Sequence, residues 1–310
     1  GGTQPTVTDA NLVLGRLNPE FFLGGELPLY PALAEEAIEK LANHMGVSEQ
    51  EAATAIVEIA DENMTNAIRL LTIERGIDPR DFALFAFGGA GGLHAAALAG
   101  RMGMGRVVIP PHPGAFSALG LLASPPRRTL ASSVLEPLPS ARRRGELFEP
   151  LVDRVRRELE REGVPASRIR VRRTVELRGE GQAGEFPLAE GPRLLERFHR
   201  EHARRFGYAR ENRPVHLVAV RVQADGPAAS PWKRVRTSRH EPVAFDLRTA
   251  WFPEGGGRVK AAWHSRETLS PGAVIRGPAC VAEYSATTVI PKGWTATLDG
   301  WGCLALEEGS

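Results

Sequence analysis

The feature that most constrains the fold is a short alternating unit in the first third of the chain. Six apolar residues, Phe82–Phe87, are followed by a turn of small residues, Gly88–Gly92. The Ala-rich stretch Leu93–Met102 is typical of a helix, and Arg106–Ile109 has the composition of a second strand. A strand, glycine turn, helix and strand in this order form a βαβ unit, whose two strands run parallel in one sheet. The sequence therefore predicts an α/β fold with a buried strand ahead of the glycine turn.

Two helices are predicted ahead of this unit. Apolar residues recur every four positions over 32–45, as on the buried face of a helix. Ser48 and Glu51 then form a capping box, which opens a long helix to about Arg75. The first thirty residues carry turn signals and a short polar–apolar alternation, so an extended or looped segment is expected there.

The composition of the chain shifts over 124–146, where four prolines and a run of three arginines indicate a linker. Helices are predicted near 146–162 and 191–206, among short strands that Gly and Pro separate. This pattern favours a barrel-like or sandwich-like arrangement towards the C-terminus. We therefore predict two domains, 1–130 and 131–310.

Composition excludes several classes of protein. With 42% hydrophobic and 25% charged residues in 310, the chain has enough apolar side chains to fold. A net charge of +2 is too balanced to favour nucleic acid or an anionic membrane as a partner. No apolar run approaches the roughly 18 residues of a membrane span. Cys280 and Cys303 cannot build a disulfide framework, which favours a reducing cytoplasm.

The glycine turn is the strongest candidate for a binding site, through Gly88, Gly89, Ala90 and Gly91. A turn without bulky side chains lets a ligand approach the backbone, and the helix that follows offers free N–H groups to an anion. The dinucleotide pattern Gly-x-Gly-x-x-Gly fails, because His94 stands where a small residue is required, and no Walker pattern exists. Nucleotide binding and tight packing of a helix on a strand both remain open.

Polar side chains near this turn are further candidates. His94 lies in the first turn of the predicted helix, where the helix dipole favours a neutral imidazole. It is a weak catalytic candidate, with capping of local backbone as the alternative. Asp61, Asn63, Asn66 and Arg69 lie in the middle of the long helix and either line a cleft or form a solvated stripe.

No metal site is predicted. His199 and His202 lie three residues apart on a predicted helix, a spacing that suits metal ligands. No further ligand motif stands near them, so packing is favoured for both side chains.

Several segments, taken in order, match a known family. They are Gly1–Leu17, Glu62–Met64, Ala67–Arg69, Glu74–Arg80, Gly88–Gly91, Leu93–Ala95, Pro113–Gly120, Arg178–Gln182, Phe206–Tyr208 and Gly277–Ala279, followed by Glu283, Thr287, Thr288, Pro291 and Gly293–Trp294. In these segments the chain resembles the ATP-dependent hydantoinase A/5-oxoprolinase family, whose relatives include acetophenone and acetone carboxylases. The resemblance covers nearly the whole chain but only the C-terminal half of a typical member. Gly92 departs from the family, which usually has Pro there.

The resemblance implies part of an actin-like ATPase domain, of the sugar kinase and heat-shock 70 superfold, followed by an α+β, strand-rich domain. It implies ATP and Mg²⁺ as cofactors. The turn Gly88–Gly91 then corresponds to the adenosine-binding motif, and Asn63, Asn66 and Arg69 lie on the helix that flanks adenine. The loops that hold Mg²⁺ and the triphosphate belong to the N-terminal half of the family. This chain alone is therefore expected not to turn over ATP.

The activity that the resemblance implies is hydrolysis of a hydantoin, 5-oxoproline or another lactam through phosphorylation of its carbonyl. A ketone carboxylase subunit and a non-catalytic assembly fragment are the alternatives. The expected partners are the N-terminal half of the enzyme, as a separate or lost segment, a hydantoinase B-type subunit and further copies in a homo-oligomer. We also expect the incomplete cleft to expose apolar surface that another chain covers.

Overall fold

The computed structural model of the chain describes residue 2 and residues 4–209, 211–230, 232–253 and 257–309. Gly1 and Thr3 of the opening family segment lie outside the described residues. The chain divides into two compact units, Gly1–Leu121 with Trp232–Ser310, and Leu122–Pro231. This division differs from the predicted boundary at residue 130, because strands of the last 79 residues extend a sheet that begins in the first part of the chain.

The elements form a mixed α/β fold. The helices are α1 (Val7–Val13), α2 (Pro31–Met45), α3 (Glu49–Leu71), α4 (Gly91–Met102), α5 (Phe116–Ala123), α6 (Ala141–Arg161) and α7 (Leu194–Phe206). The strands are β1 (Leu84–Phe85), β2 (Arg106–Ile109), β3 (Arg127–Pro137), β4 (Arg170–Gly179), β5 (Phe186–Ala189), β6 (Val215–Asp225), β7 (Asp246–Phe252), β8 (Gly257–Ser265), β9 (Val274–Arg276), β10 (Ala279–Glu283), β11 (Ala286–Ile290), β12 (Trp294–Leu298) and β13 (Leu304–Glu308).

The first unit opens with a helix where an extended or looped segment was expected. Helix α1 begins after Thr6, whose hydroxyl accepts a hydrogen bond from the Asp9 N–H while the Asp9 carboxylate accepts one from the Thr6 N–H. This reciprocal capping box offsets the weak helix propensity of the β-branched residues around it. Helix α2 is confirmed, but its buried residues are Ala34, Ile38 and Ala42, and the predicted apolar row one position earlier in each turn begins and ends at exposed side chains. Helix α3 begins at the predicted Ser48 cap but ends at Leu71. Helices α1, α2 and α3 pack around a core that includes Leu14, Ile38 and Val57.

The predicted βαβ unit is confirmed, with one difference. Strands β1 and β2 are parallel, and β1 forms the edge of a five-stranded sheet in the order β1-β2-β13-β12-β9. Because β1 is an edge strand, Phe85 and Phe87 are 47% and 49% exposed, whereas Leu84 and Ala86 pack against the core. The apolar run ahead of the glycine turn is therefore buried on one side only.

The strands beyond residue 232 do not form a barrel or sandwich of their own. Strands β9, β12 and β13 join the sheet of β1 and β2, with β13 antiparallel to β2. The other four form a second sheet in the order β11-β10-β8-β7, in which β10 and β11 are a hairpin. Helix α4 packs on β11. Within the described residues, no helix has the length and apolar character that crossing a membrane requires.

The second unit is an antiparallel sheet in the order β3-β6-β4-β5, with α6 packed on it and α7 next to β5. Phe148, Leu159 and Val220 are fully buried in its core. Strand β3 occupies the segment expected to be a linker, because its prolines lie at the ends of the strand and not within its central ladder.

The structure predicts a strong stability effect at Gly277. A methyl group there would overlap the backbone carbonyl of Pro291, whereas one at Gly105 would meet no atom within 4 Å. We expect Gly277→Ala to lower the free energy of unfolding by at least about 2 kcal/mol, since the obstacle is backbone that cannot rotate away. Gly105→Ala, the matched control, should be neutral or slightly stabilising. Urea denaturation of both variants measures the difference, and equal midpoints would contradict the packing described here.

Candidate functional site

The glycine turn lies between β1 and α4 in the first unit. The Gly88 N–H donates to the Pro113 carbonyl at 2.8 Å, and Gly88 has a φ of +93°, which favours glycine. In the described part of the chain, the N–H groups of Gly89 and Ala90 have no hydrogen-bond acceptor. The turn therefore presents two open backbone donors beside the N-terminus of a helix, an arrangement that suits an anion or another acceptor.

Close packing explains part of the glycine pattern. A Cβ on Gly89 would lie 3.0 Å from the Ser285 carbonyl oxygen, and one on Gly92 would lie 2.7 Å from that of Thr287. One on Gly114 would overlap the Ser285 side chain. These three glycines let the β10–β11 hairpin contact the turn and the start of α4 and α5. Gly88 is different, because a Cβ there would meet nothing within 4 Å.

A cavity of about 210 Å³ adjoins the turn, and we call it the turn cavity. Three parts of the first unit line it: Thr8 with residues 17–18 and 21–23 near the N-terminus, Gly89 and Ala90 of the turn with Leu93, and the hairpin residues 282–287. No sequence pattern indicated this cavity, because its walls lie up to 279 residues apart in the chain.

A buried ion pair stands at the cavity wall. Arg266 and Glu283 are each about 8% exposed, and the Arg266 Nη1 donates to the Glu283 Oε1 at 3.0 Å. The Nη2 of the same guanidinium donates to the carbonyls of Ile109, Pro110 and Gly302. Burial raises the pKa of the Glu283 carboxyl to about 7, because desolvation outweighs the attraction of Arg266. A carboxyl that gains or loses a proton near neutral pH therefore lines the cavity.

His94, the weak catalytic candidate, is buried against helix α3. Its Nδ1 lies 2.7 Å from the Asp61 Oδ1, and the two side chains are 6% and 5% exposed. A carboxylate oxygen accepts hydrogen bonds, so this contact places a proton on the His94 Nδ1. Asp61 stood in the polar stretch of the sequence, but its partner lies 33 residues away and no local pattern indicates it.

The other predicted residues on α3 lie in a different cluster. Arg69 donates to Glu62 at 3.1 Å and to the Asn66 side chain at 3.2 Å, while Glu62 also accepts from Arg101 in the last turn of α4. Asn63 and Asn66 are exposed. The structure thus connects Arg69 to the C-terminal end of α4, whereas the glycine turn lies at its N-terminal end. The role of these side chains beside an adenine stays a prediction.

In the second unit, two of the family segments meet at His202. Its Nδ1 donates to the Tyr208 carbonyl at 2.6 Å, so its Nε2 accepts from the Gln182 amide. The Gln182 Oε1 in turn accepts from the Gly179 N–H. Both ring nitrogens of His202 are occupied, which excludes it as a metal ligand in this conformation. No group of three His, Cys, Asp or Glu side chains suited to a metal is present among the residues that the structure describes.

Two family models match the sequence and together cover more than half of it. A model described as hydantoinase/oxoprolinase matches residues 1–129, and one for the hydantoinase/oxoprolinase C-terminal domain matches residues 246–309. The C-terminal match lies entirely within the first structural unit, and the N-terminal match extends eight residues beyond the point, Leu121, where the first part of that unit ends.

Curated relatives match over nearly the whole chain. The chain is 37% identical to an uncharacterised protein of Methanocaldococcus jannaschii over 99% of its own length and 45% of that protein. It is 31% identical to caprolactamase subunit alpha of Pseudomonas jessenii, covering 100% of this chain and 47% of the relative. It is also 31% identical to the acetophenone carboxylase gamma subunit of Aromatoleum aromaticum, covering 99% of this chain and 45% of the relative. The chain thus spans about half the length of the curated relatives it matches.

Solved structures have the same fold. The ATP-dependent caprolactamase of Pseudomonas jessenii superimposes with a TM-score of 0.73 and 29% identity, over 100% of this chain and 48% of that one. An acetone carboxylase structure, solved without nucleotide, gives a TM-score of 0.85 over 98% and 46% of the two chains. At 23% identity, the second likeness concerns the fold alone.

The raised pKa of Glu283 predicts a pH dependence of stability. A glutamate has a pKa of about 4.5 when unfolded and Glu283 about 7 when folded, so the folded state holds its proton more tightly. The stabilisation is complete below about pH 4.5 and is lost as the pH rises to about 7, by about 3 kcal/mol in total. Glu283→Gln should remove this dependence, so the variant gains stability relative to the parent protein across that interval.

Urea denaturation between pH 4.5 and 7.5 measures this effect, with Trp fluorescence as the signal. All five tryptophans lie in the first unit, so the signal reports the unit that contains Glu283. Glu58→Gln, at an exposed position on α3, is the matched control and should parallel the parent protein. Parallel pH profiles for Glu283→Gln and the parent protein would contradict the assignment.

Proposed function

Because the chain belongs to the hydantoinase/oxoprolinase family, we propose that it forms part of an ATP-dependent enzyme that hydrolyses cyclic amides. The observation that carries this proposal is the match to caprolactamase subunit alpha, which extends over the entire chain in sequence and in fold. In this proposal the first unit is part of an actin-like ATPase domain, and the turn Gly88–Gly91 borders the nucleotide.

The proposed reaction has a clear chemical requirement. A lactam carbonyl is a poor electrophile, and its nitrogen is a poor leaving group. When bound, ATP would supply transfer of its terminal phosphoryl group to the carbonyl oxygen, with ADP as the leaving group. Water could then add to the carbon, the ring C–N bond would break as the nitrogen takes up a proton, and inorganic phosphate would leave. Phosphoryl transfer depends on positioning and charge stabilisation more than on covalent chemistry by the protein. The contribution of this chain is therefore binding and orientation.

The glycine turn has the features that nucleotide contact requires. The N–H groups of Gly89 and Ala90, which have no acceptor among the described residues, can donate to a polar atom of the nucleotide. The space beside Gly88 is empty, because a Cβ there would meet no atom within 4 Å. We propose that His94 acts as a positioning residue. Its buried contact with Asp61 holds the first turn of α4 against α3 and so fixes where the two donors lie.

A second polypeptide segment is proposed to complete the nucleotide site. The exposed Phe85 and Phe87 and the half-buried Phe116 form an aromatic cluster beside the turn, with ring centroids 5.4–6.2 Å apart. An apolar surface at the edge strand β1 is costly in water and suits cover by another polypeptide. Two of the relatives are named as subunits, which agrees with this arrangement. The proposed segment supplies the triphosphate and Mg²⁺ contacts, and a hydantoinase B-type subunit and self-association are further proposed partners.

A ketone carboxylase is the second candidate, because an acetophenone carboxylase gamma subunit is among the relatives. The two reactions differ in their co-substrate. Cyclic-amide hydrolysis needs no bicarbonate, whereas carboxylation consumes it.

Phosphate release from ATP tests the proposal in the complete complex purified from its source. We expect ε-caprolactam or 2-pyrrolidinone to stimulate release at least tenfold without bicarbonate, and the chain alone to show none. Acetophenone or acetone with bicarbonate is the comparison. Stimulation only by ketone with bicarbonate would assign the carboxylase reaction. No stimulation by either class would leave a non-catalytic assembly role and overturn both enzyme proposals.

A further inference from the structure

The second unit contains a cleft at one end of its sheet, and we call it the arginine cleft. It has a volume of about 830 Å³ and lies where β3 and β4 begin and β6 ends. Volumes of roughly 300–1,000 Å³ are usual for small-molecule sites. Five charged side chains are among the described residues that line it, namely Arg127, Arg168, Arg170, Arg172 and Asp225.

The strand register places most of these side chains on one face of the sheet. Arg127 of β3 and Arg170 of β4 both pair with Asp225 of β6, which lies between those strands. Directly paired residues share a face, and so do residues two apart on a strand, so Arg172 lies on that face too. Ala224, the neighbour of Asp225, is fully buried in the core. The charged side chains therefore occupy the opposite face of the sheet.

Asp225 orients two of the guanidinium groups. Its carboxylate accepts from the Arg127 Nε at 2.6 Å and from the Arg172 Nη2 at 2.5 Å. The Gln223 amide donates to both carboxylate oxygens at 3.1 Å. Burial opposes ionisation, but these hydrogen bonds outweigh it and lower the pKa of Asp225. A carboxylate has about four acceptor positions, so Asp225 has none left for a further arginine.

The other two arginines of the cleft are unpaired. Arg168 and Arg170 are exposed, and neither has a carboxylate partner in the parts of the chain that the structure describes. Four guanidinium groups and one carboxylate give the cleft a net charge of +3. A concave surface lined by charge of one sign concentrates counter-ions, so this cleft attracts anions.

The lining indicates which kind of anion fits. The planar guanidinium of arginine donates two parallel hydrogen bonds to a phosphate or a carboxylate. Two such groups are oriented by Asp225 and two are unpaired, so more than one anionic group can bind at once. Among the described lining residues there is no aromatic side chain on which a nucleobase could stack. The cleft therefore suits the anionic groups of a ligand and offers nothing specific to a base.

We propose that the arginine cleft binds a small polyanion that carries at least two phosphate or carboxylate groups. Arg168 and Arg170 bind one of these groups. Arg127 and Arg172, which Asp225 orients, donate their remaining N–H groups to another. The inference does not depend on the proposed function, because all of these residues lie in the second unit and no step of the proposed reaction involves them.

Isothermal titration calorimetry of the 310-residue chain tests the inference, with inorganic tripolyphosphate, citrate and inorganic phosphate as probes. We expect tripolyphosphate or citrate to bind at least about tenfold more tightly than phosphate, because several anionic groups bind at once. Comparison of tripolyphosphate with citrate distinguishes a phosphate-bearing ligand from a carboxylate-bearing one. A hexaglutamate peptide serves as the probe for an acidic polypeptide segment.

A double variant connects binding to the cleft. Arg168→Gln with Arg170→Gln should weaken binding of the tighter polyanion at least about tenfold, since both unpaired guanidinium groups are lost. Arg156→Gln with Arg157→Gln is the matched control, because it removes two exposed charges from α6 in the same unit. The control should leave the affinity nearly unchanged. Circular dichroism checks that both variants are folded.

The outcomes separate a site from general charge attraction. Tighter binding of a polyanion that only the cleft variant weakens supports the inference. An equal loss in the control variant overturns it, because net charge then explains the binding. Absence of binding, or equal affinities for the polyanions and phosphate, also overturns it. Binding of hexaglutamate without binding of either small polyanion overturns it too, and assigns the cleft to an acidic segment of another polypeptide.

Discussion

The close contact between the β10–β11 hairpin and the glycine turn is the constraint on which the first unit depends. Gly89, Gly92 and Gly114 each lack a side chain where the hairpin residues 285–288 approach. Without that contact, α4 could not pack on β11, and the cavity beside the turn would have no hairpin wall. The hairpin belongs to the last tenth of the chain, so the site forms only when distant segments fold together.

The buried Arg266–Glu283 pair extends the same arrangement into electrostatics. One guanidinium binds the carboxylate and three backbone carbonyls, two of them at the end of β2 and its following residue. A buried ion pair is weak support for stability, because desolvation offsets much of the attraction. Its value here lies in orientation. The pair joins the hairpin to the sheet of β2, and Glu283 is one of the residues that line the turn cavity.

Sequence reasoning succeeded where the signal was local. The capping box at Ser48 and the strand–turn–helix–strand order depend on residues close in the chain, and both are present. Helix α2 is present too, but it buries Ala34, Ile38 and Ala42 and not the apolar row that predicted it. It failed at α1, where the Thr6 cap is hidden in an alternating Thr-Val-Thr stretch. It also failed at β3, where the prolines lie at the ends of a strand and do not mark a linker.

The candidate site was only partly accessible from the sequence. The turn and His94 stand out locally, but the Asp61 contact spans 33 residues and the Arg266–Glu283 pair brings together strands of the second sheet and the end of β2. The turn cavity needs three segments from both ends of the chain, so only the folded structure reveals it. Arg69 and Asn66 share a helical face as expected, yet that face points to Arg101 and not to the turn.

A structure of the complete complex with a non-hydrolysable ATP analogue would show whether the glycine turn borders the nucleotide. We expect the analogue to lie against residues 88–91, with a polar atom within hydrogen-bond distance of the Gly89 or Ala90 N–H. We also expect a second polypeptide segment over Phe85 and Phe87. A nucleotide bound elsewhere, with the turn in contact only with the hairpin, would contradict this placement and leave close packing as the reason for Gly89 and Gly92 alone.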